Sequence, residues 1–145
     1  MNKVYLDSNI LVAYQIENHP FYLKAKNLIE KLIKKKFTFC LSPLALDEYL
    51  YIVLKYFKAG YFSDFNQILF SLKNISLLSP KYVNIYWSKK TMFEVFLLIK
   101  KYRLRPRDAF HLKIIQEEKI DYLASFDDDF KIIIKEKLVK DALIV

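Results

Sequence analysis

Apolar and polar positions change rhythm several times along the chain. The opening "KVYL", residues 3–6, is short, β-branched and aromatic and meets "DSN" at once, which predicts a strand closing on an acidic turn. Helical spacing then takes over. After "NHP", the segment "FYLKAKNLIEKLIKKK" sets Leu28, Ile29, Leu32 and Ile33 on one face and lysines on the other, predicting an amphipathic helix. "FTFCLS" has strand character, and Ser42 followed by Pro43 predicts a capped helix start leading into "LALDEYLYIVLKYF". The one glycine, in "KAGYFSDFNQILFSLKN", predicts a turn and a further helix, and "ISLLS" after it a third strand. Pro80 to about Tyr102 reads as one or two helices, "RLRPRDAFHLKIIQEEK" as a helix starting near Pro106, and "IDYLASF" as a fourth strand. The tail "KIIIKEKLVKDALIV" predicts a short helix and a last strand, "ALIV".

Strands alternating with helices throughout predict the α/β class: a single domain over residues 1–145 with a central parallel β-sheet flanked by α-helices. In such sheets ligands bind beyond the carboxyl ends of the strands, so the residues there bear on function. A hydrophobic content of 54%, with one Gly and four Pro in 145 residues, excludes a disordered chain. Cys40, amid the apolar "FTFCLSP", has no second cysteine to bridge and is expected to be a buried structural thiol, suited to a reducing cytoplasm. Asp7 interrupts the first apolar run and no stretch reaches the roughly 18 apolar residues of a membrane span, so neither a signal peptide nor a membrane anchor is expected. Lys and Arg number 24 against 16 Asp and Glu, a formal net charge of +8 that points to polyanionic partners, nucleic acid among them. Solvated lysine faces would give the same balance.

Several acids stand where that chemistry would need them. Asp7 follows the first strand and Asp127 the fourth, so in a parallel sheet both open onto one rim, although an Asp at a strand end also serves as an ordinary turn or cap residue. Asp47 and Glu48 both have apolar helical neighbours, and the spacing says that one turns inward without choosing which. Asp108 shares its helix face with Leu112 and Ile115; its ordinary role would be to stabilise the first turn against the helix dipole. Buried carboxylates brought close together are costly, and a divalent cation removes the conflict. Hard oxygen ligands suit Mg²⁺ or Mn²⁺, either of which can activate water and neutralise charge on a phosphate.

In this order and over nearly the whole chain, "YLDSNILV", "LSPLALDEYL", "RPRDAFHLKII" and "YLASFDDDF" resemble the motifs of the PIN-domain nuclease family. The resemblance implies a compact α/β nuclease with a metal-binding acidic pocket and Mg²⁺ or Mn²⁺ as cofactor; many members are ribonuclease toxins of the VapC type. It puts the catalytic, metal-binding acids on Asp7, Glu48, Asp108 and Asp127, and so selects Glu48 over Asp47. Asn9 and Ser125 match polar positions that could orient a metal-bound water. Asp129 becomes an auxiliary ligand if the backbone stays extended past Asp127, with Asp128 pointing away.

The expected activity is that of a metal-dependent endoribonuclease, either the toxin of a toxin–antitoxin pair or a housekeeping RNA-processing nuclease. Arg103, Arg105 and Arg107 in "KKYRLRPR" are candidate RNA-binding residues, with Tyr102 as a stacking partner. The expected partners are RNA, an antitoxin protein and a second copy of the chain. The aromatic run "YFSDFNQILF" would serve a dimer or antitoxin interface, though ordinary helix packing is the commoner use. His19 and His111 fall outside the family's catalytic positions; His111, three residues after Asp108, could contact the edge of the site, but a plain helix-face role is the expectation. A catalytically silent PIN-like RNA-binding or assembly scaffold is the alternative. A dehalogenase-type phosphatase would want an acid where Asn9 stands.

Overall fold

The computed structural model describes residues 1–141; the strand expected at "ALIV" lies outside them. In chain order the elements are β1 (Lys3–Leu6), α1 (Ser8–Gln15), α2 (Tyr22–Lys34), β2 (Thr38–Leu41), α3 (Pro43–Lys58), α4 (Phe65–Ser76), β3 (Lys81–Tyr82), α5 (Lys89–Tyr102), α6 (Pro106–Glu117), β4 (Tyr122–Ala124), α7 (Lys131–Lys135) and β5 (Lys140–Asp141). The strands form one parallel sheet in the order β3-β2-β1-β4-β5.

This order explains the burial of β1. With β2 on one side and β4 on the other, Val4 aligns with Phe39 and Tyr122, and Tyr5 with Cys40 and Leu123. Val4, Tyr5 and Leu6 are wholly buried. The chain winds outward from β1 through β2 to β3, then returns to the other side of β1 for β4 and β5. Because right-handed crossovers are the rule between parallel strands, winding in two opposite directions puts helices on both faces, and the crevice between β1 and β4 is where the winding reverses.

Local signals account for most helix boundaries. Ser42 caps α3 by accepting the Ala45 N–H at 3.1 Å, with Pro43 in the first turn, an arrangement that contributes about 1 kcal/mol. Asp64 caps α4 and Ser88 caps α5 in the same way. Cys40 is buried, as its neighbours predict, and burial pushes its thiol pKa up. Among the described residues, no helix is long and apolar enough to cross a membrane.

Four expectations need correction. "ISLLS" is not a strand: Ile75 and Ser76 close α4, because Ile75 continues the buried helical row of Ile68 and Ser71, and the third strand follows at Lys81–Tyr82. Ile33 stands half exposed, since α2 seats Ala25, Leu28, Ile29 and Leu32 on the core and Ile33 lies a further 100° around the helix. In "YFSDFNQILF" helix packing uses chiefly Ile68, and Tyr61, Phe65, Leu69 and Phe70 are exposed. The span from Pro80 to Tyr102, expected to be helical throughout, opens with β3 at Lys81–Tyr82 and becomes helical only from Lys89, as the single helix α5.

Candidate active site

At the reversal between β1 and β4, Leu6 pairs with Ala124, so Asp7 and Ser125 leave the sheet side by side. The Asp7 N–H donates to Ala124 O at 3.1 Å, extending the ladder by one bond. The Asp7 side chain is buried and caps α1: Oδ1 accepts the Ser8 N–H at 2.7 Å. Its Oδ2 accepts the Ser125 hydroxyl at 2.5 Å and the Asn9 amide at 2.8 Å. Asn9 also receives the Phe126 N–H at 3.1 Å, and Ser125 Oγ receives the Asp127 N–H at 3.0 Å. Asn9 and Ser125 therefore hold the ends of β1 and β4 together and immobilise Asp7. Burial pushes the Asp7 carboxyl pKa up, with Glu48 adding to the rise and the Ser125 hydroxyl opposing it.

The other acids come from two helix starts and one loop. On α3, Glu48 turns inward and Asp47 stays exposed. Glu48 Oε2 lies 3.0 Å from His111 Nε2, and Oε1 lies 3.6 Å from Arg107. Burial works against the Glu48 carboxylate, yet its bond to His111, with help from Ser8 and Arg107, holds it below its ordinary pKa. Asp108, in the first turn of α6, is buried, and among the described residues its Oδ2 has no hydrogen-bond partner. Burial first, then the neighbouring Asp127 and Asp129, push its carboxyl up to about 6, with Arg105 opposing. Asp127 stands exposed on the rim, where Oδ1 accepts the Asp129 N–H at 2.9 Å.

Asp7, Glu48, Asp108 and Asp127 line one open cleft of about 290 Å³, together with Asn9, Arg107 and His111. The donor set suits a hard divalent cation. Carboxylate oxygens make it up, those of Asp7 and Asp108 being buried, and among the described residues Asp108 Oδ2 has no donor to satisfy it. One ligand atom each from Asp7, Glu48 and His111 lie within 4.8 Å of one another.

Three sequence expectations change here. The backbone past Asp127 is not extended: residues Asp128–Phe130 form a 3₁₀ turn capped by Asp127, which places Asp129 outside the cleft, paired with Arg105 at 3.2 Å. Asp128 remains a surface charge beside Lys131. Of the three arginines, Arg107 lines the cleft and Arg105 is held at its edge through Asp129, whereas Arg103 is the exposed, left-handed C-cap of α5 (φ 57°). His111 is no plain surface histidine, being 1% exposed and bonded to Glu48. Its place three residues after Asp108 on an apolar helix face was the available signal; its partner Tyr5, 106 residues earlier, was not legible.

The family model for the PIN domain matches residues 4–136. Ribonuclease VapC2 of Methanocaldococcus jannaschii is 29% identical over 141 residues, covering 90% of this chain and 88% of that protein. Ribonuclease VapC6 of the same organism is 25% identical over 154 residues, covering 97% and 98%. Among solved structures, VapBC2 from Rickettsia felis bound to a DNA fragment from their promoter matches with a TM-score of 0.65 at 22% identity, covering 96% of each chain. Mycobacterium tuberculosis VapC20, a sarcin-ricin loop cleaving toxin, matches with a TM-score of 0.58 at 13% identity, covering 88% of this chain and 92% of that one. At these identities the structural likeness speaks for the fold.

Proposed function

The chain belongs to the PIN domain family, and on that premise we propose that it is a metal-dependent endoribonuclease hydrolysing RNA phosphodiester bonds at the cleft. The observation that carries this reading is the convergence of Asp7, Glu48, Asp108 and Asp127 on one cleft, with a buried Asp108 oxygen left unpaired. These four acids are the residues that would hold Mg²⁺ or Mn²⁺. When bound, such an ion supplies Lewis-acid stabilisation of the phosphate and a water of lowered pKa.

The chain's own groups supply the rest. Asn9 and Ser125 fix Asp7 Oδ2 by two hydrogen bonds, so this carboxylate needs no reorganisation when substrate arrives. Arg107 offers its guanidinium to a phosphate at the cleft mouth, and Arg105, paired with Asp129, adds a second positive charge beside it. The net charge of +8 favours approach of a polyanion to a cleft whose own lining is acidic.

We also read the protein as the toxin of a toxin–antitoxin pair, acting in the cytoplasm. The VapC names of its relatives support this, as do exposed apolar side chains on two helices: Phe65, Leu69 and Phe70 on α4, and Phe93, Phe96 and Leu97 on α5. Such side chains suit an antitoxin helix or a second copy of the chain. The test is cleavage of a mixed single-stranded RNA pool with Mg²⁺, Mn²⁺ or chelator, comparing the native chain with Asp127→Asn. Cleavage that survives both chelator and substitution would remove the metal site from the reaction. A folded, metal-binding protein that cleaves nothing would favour the scaffold alternative.

A further inference from the structure

A buried line of hydrogen bonds runs from the start of α3 to the back of the acid cleft. The Ala45 N–H donates to Ser42 Oγ at 3.1 Å, and Ser42 Oγ bonds Tyr5 Oη. Tyr5 Oη lies 2.7 Å from His111 Nδ1, and His111 Nε2 lies 3.0 Å from Glu48 Oε2. Ser42 and Tyr5 have no exposed surface, so each of their protons needs a protein acceptor.

That requirement gives the line a direction. Ser42 Oγ already accepts the Ala45 N–H, and among the described hydrogen bonds its own proton has Tyr5 Oη as acceptor. Tyr5 then has one group left for its proton, His111 Nδ1. Burial pushes the Tyr5 pKa up, so the phenol stays a donor. With Nδ1 accepting, the ring proton sits on Nε2, where the nearest acceptor is Glu48 Oε2.

We propose that His111 is a positioning residue: its tautomer is set by Tyr5 and Ser42, and its Nε2–H holds Glu48 Oε2 in register with the metal-binding cleft. This rests on the endoribonuclease reading of that cleft. It also decides what His111 does not do. Both ring nitrogens are engaged, so neither a metal-ligating lone pair nor a general base is on offer, although one of them lies within 4.8 Å of carboxylate oxygens of Asp7 and Glu48. Glu48 Oε1, near Arg107, is left for the cleft.

The tautomer is read directly by ¹⁵N chemical shifts of His111 in the metal-free protein. The expected pattern is an unprotonated Nδ1 and a protonated Nε2, lost or mixed in Tyr5→Phe; a protonated Nδ1 in the native chain would overturn the proposal. Mn²⁺ titration of folded protein supplies the second readout. Tyr5→Phe and His111→Leu should weaken Mn²⁺ binding by about 10- to 100-fold, with affinity largely recovered in His111→Gln, which keeps a donor. Unchanged affinity in a folded Tyr5→Phe protein, or a directly coordinated nitrogen in the electron spin-echo spectrum of the native Mn²⁺ complex, would also overturn it. A native chain with the expected tautomer that binds no Mn²⁺ would instead sink the metal-site reading, and with it the role assigned to His111.

Discussion

Asp7 and Ser125 lie 118 residues apart in the chain and share a hydrogen bond of 2.5 Å. The contact exists because β1 and β4 are sheet neighbours in parallel register, which makes the acid after one strand and the hydroxyl after the other a single unit. The cleavage predictions for Asp7 and Asp127 depend on that adjacency.

Loss of charge at the rim should stop catalysis without unfolding the protein. Asp127 is exposed, so Asp127→Asn should leave the circular dichroism and melting temperature near native. RNA cleavage should fall at least about 100-fold, equivalent to about 2.7 kcal/mol of barrier. Asp7→Asn should lose activity equally; activity within about threefold of native in both variants would remove these acids from the site.

The metal-free protein should become more stable as pH falls from 7.5 to 5. Asp108 has a folded pKa of about 6, above its ordinary 3.8, so its contribution is full below the lower value and is lost as pH rises through the higher. Asp7, also raised, acts in the same direction. Glu48 is lowered, so its stabilisation is lost only below its ordinary 4.5, outside this window. Allowing for water at the cleft mouth, the Asp108 effect should be about 1–2 kcal/mol, or roughly 2–8 °C in melting temperature. Thermal scans should show Asp108→Asn abolishing most of this pH dependence and raising stability at pH 7.5.

Arg107 should matter more to RNA than Arg105. Arg107 lines the cleft, while Arg105 is paired with Asp129. In fluorescence titrations across a salt series, Arg107→Ala should reduce the salt slope by about 1, and Arg105→Ala by less. Equal slopes in all three proteins would move the phosphate contacts elsewhere.

Tyr49→Phe separates stability from function. Tyr49 donates to Ser71 at 2.6 Å and so ties α3 to α4 away from the cleft. Removing the hydroxyl should cost about 1 kcal/mol in urea unfolding and leave the cleavage rate unchanged.

The apolar face of α5 should govern self-association or antitoxin capture. Phe93 and Phe96 are both more than half exposed. Sedimentation of the native chain should depend on concentration, and Phe93→Asp with Phe96→Asp should leave a monomer with native cleavage. A native chain that is monomeric throughout would reserve this face for a different protein.

Sequence alone determined what short-range physics controls. Strand β1, the Ser42–Pro43 start of α3, the Pro106 start of α6 and the buried thiol of Cys40 follow from alternation, capping and neighbouring apolar residues. The four acids could be named because strand ends and helix starts are local features, but choosing Glu48 over Asp47 took the family resemblance. Only the tertiary structure decided which distant groups meet. His111 passed for a helix-face residue because its partners Tyr5 and Glu48 lie 106 and 63 positions away. The auxiliary place of Asp129 required an extended backbone, and the 3₁₀ turn after Asp127 instead turns it toward Arg105. Capping and periodicity act within a few residues, whereas the direction of a buried hydrogen-bond line depends on every donor and acceptor that packing brings together.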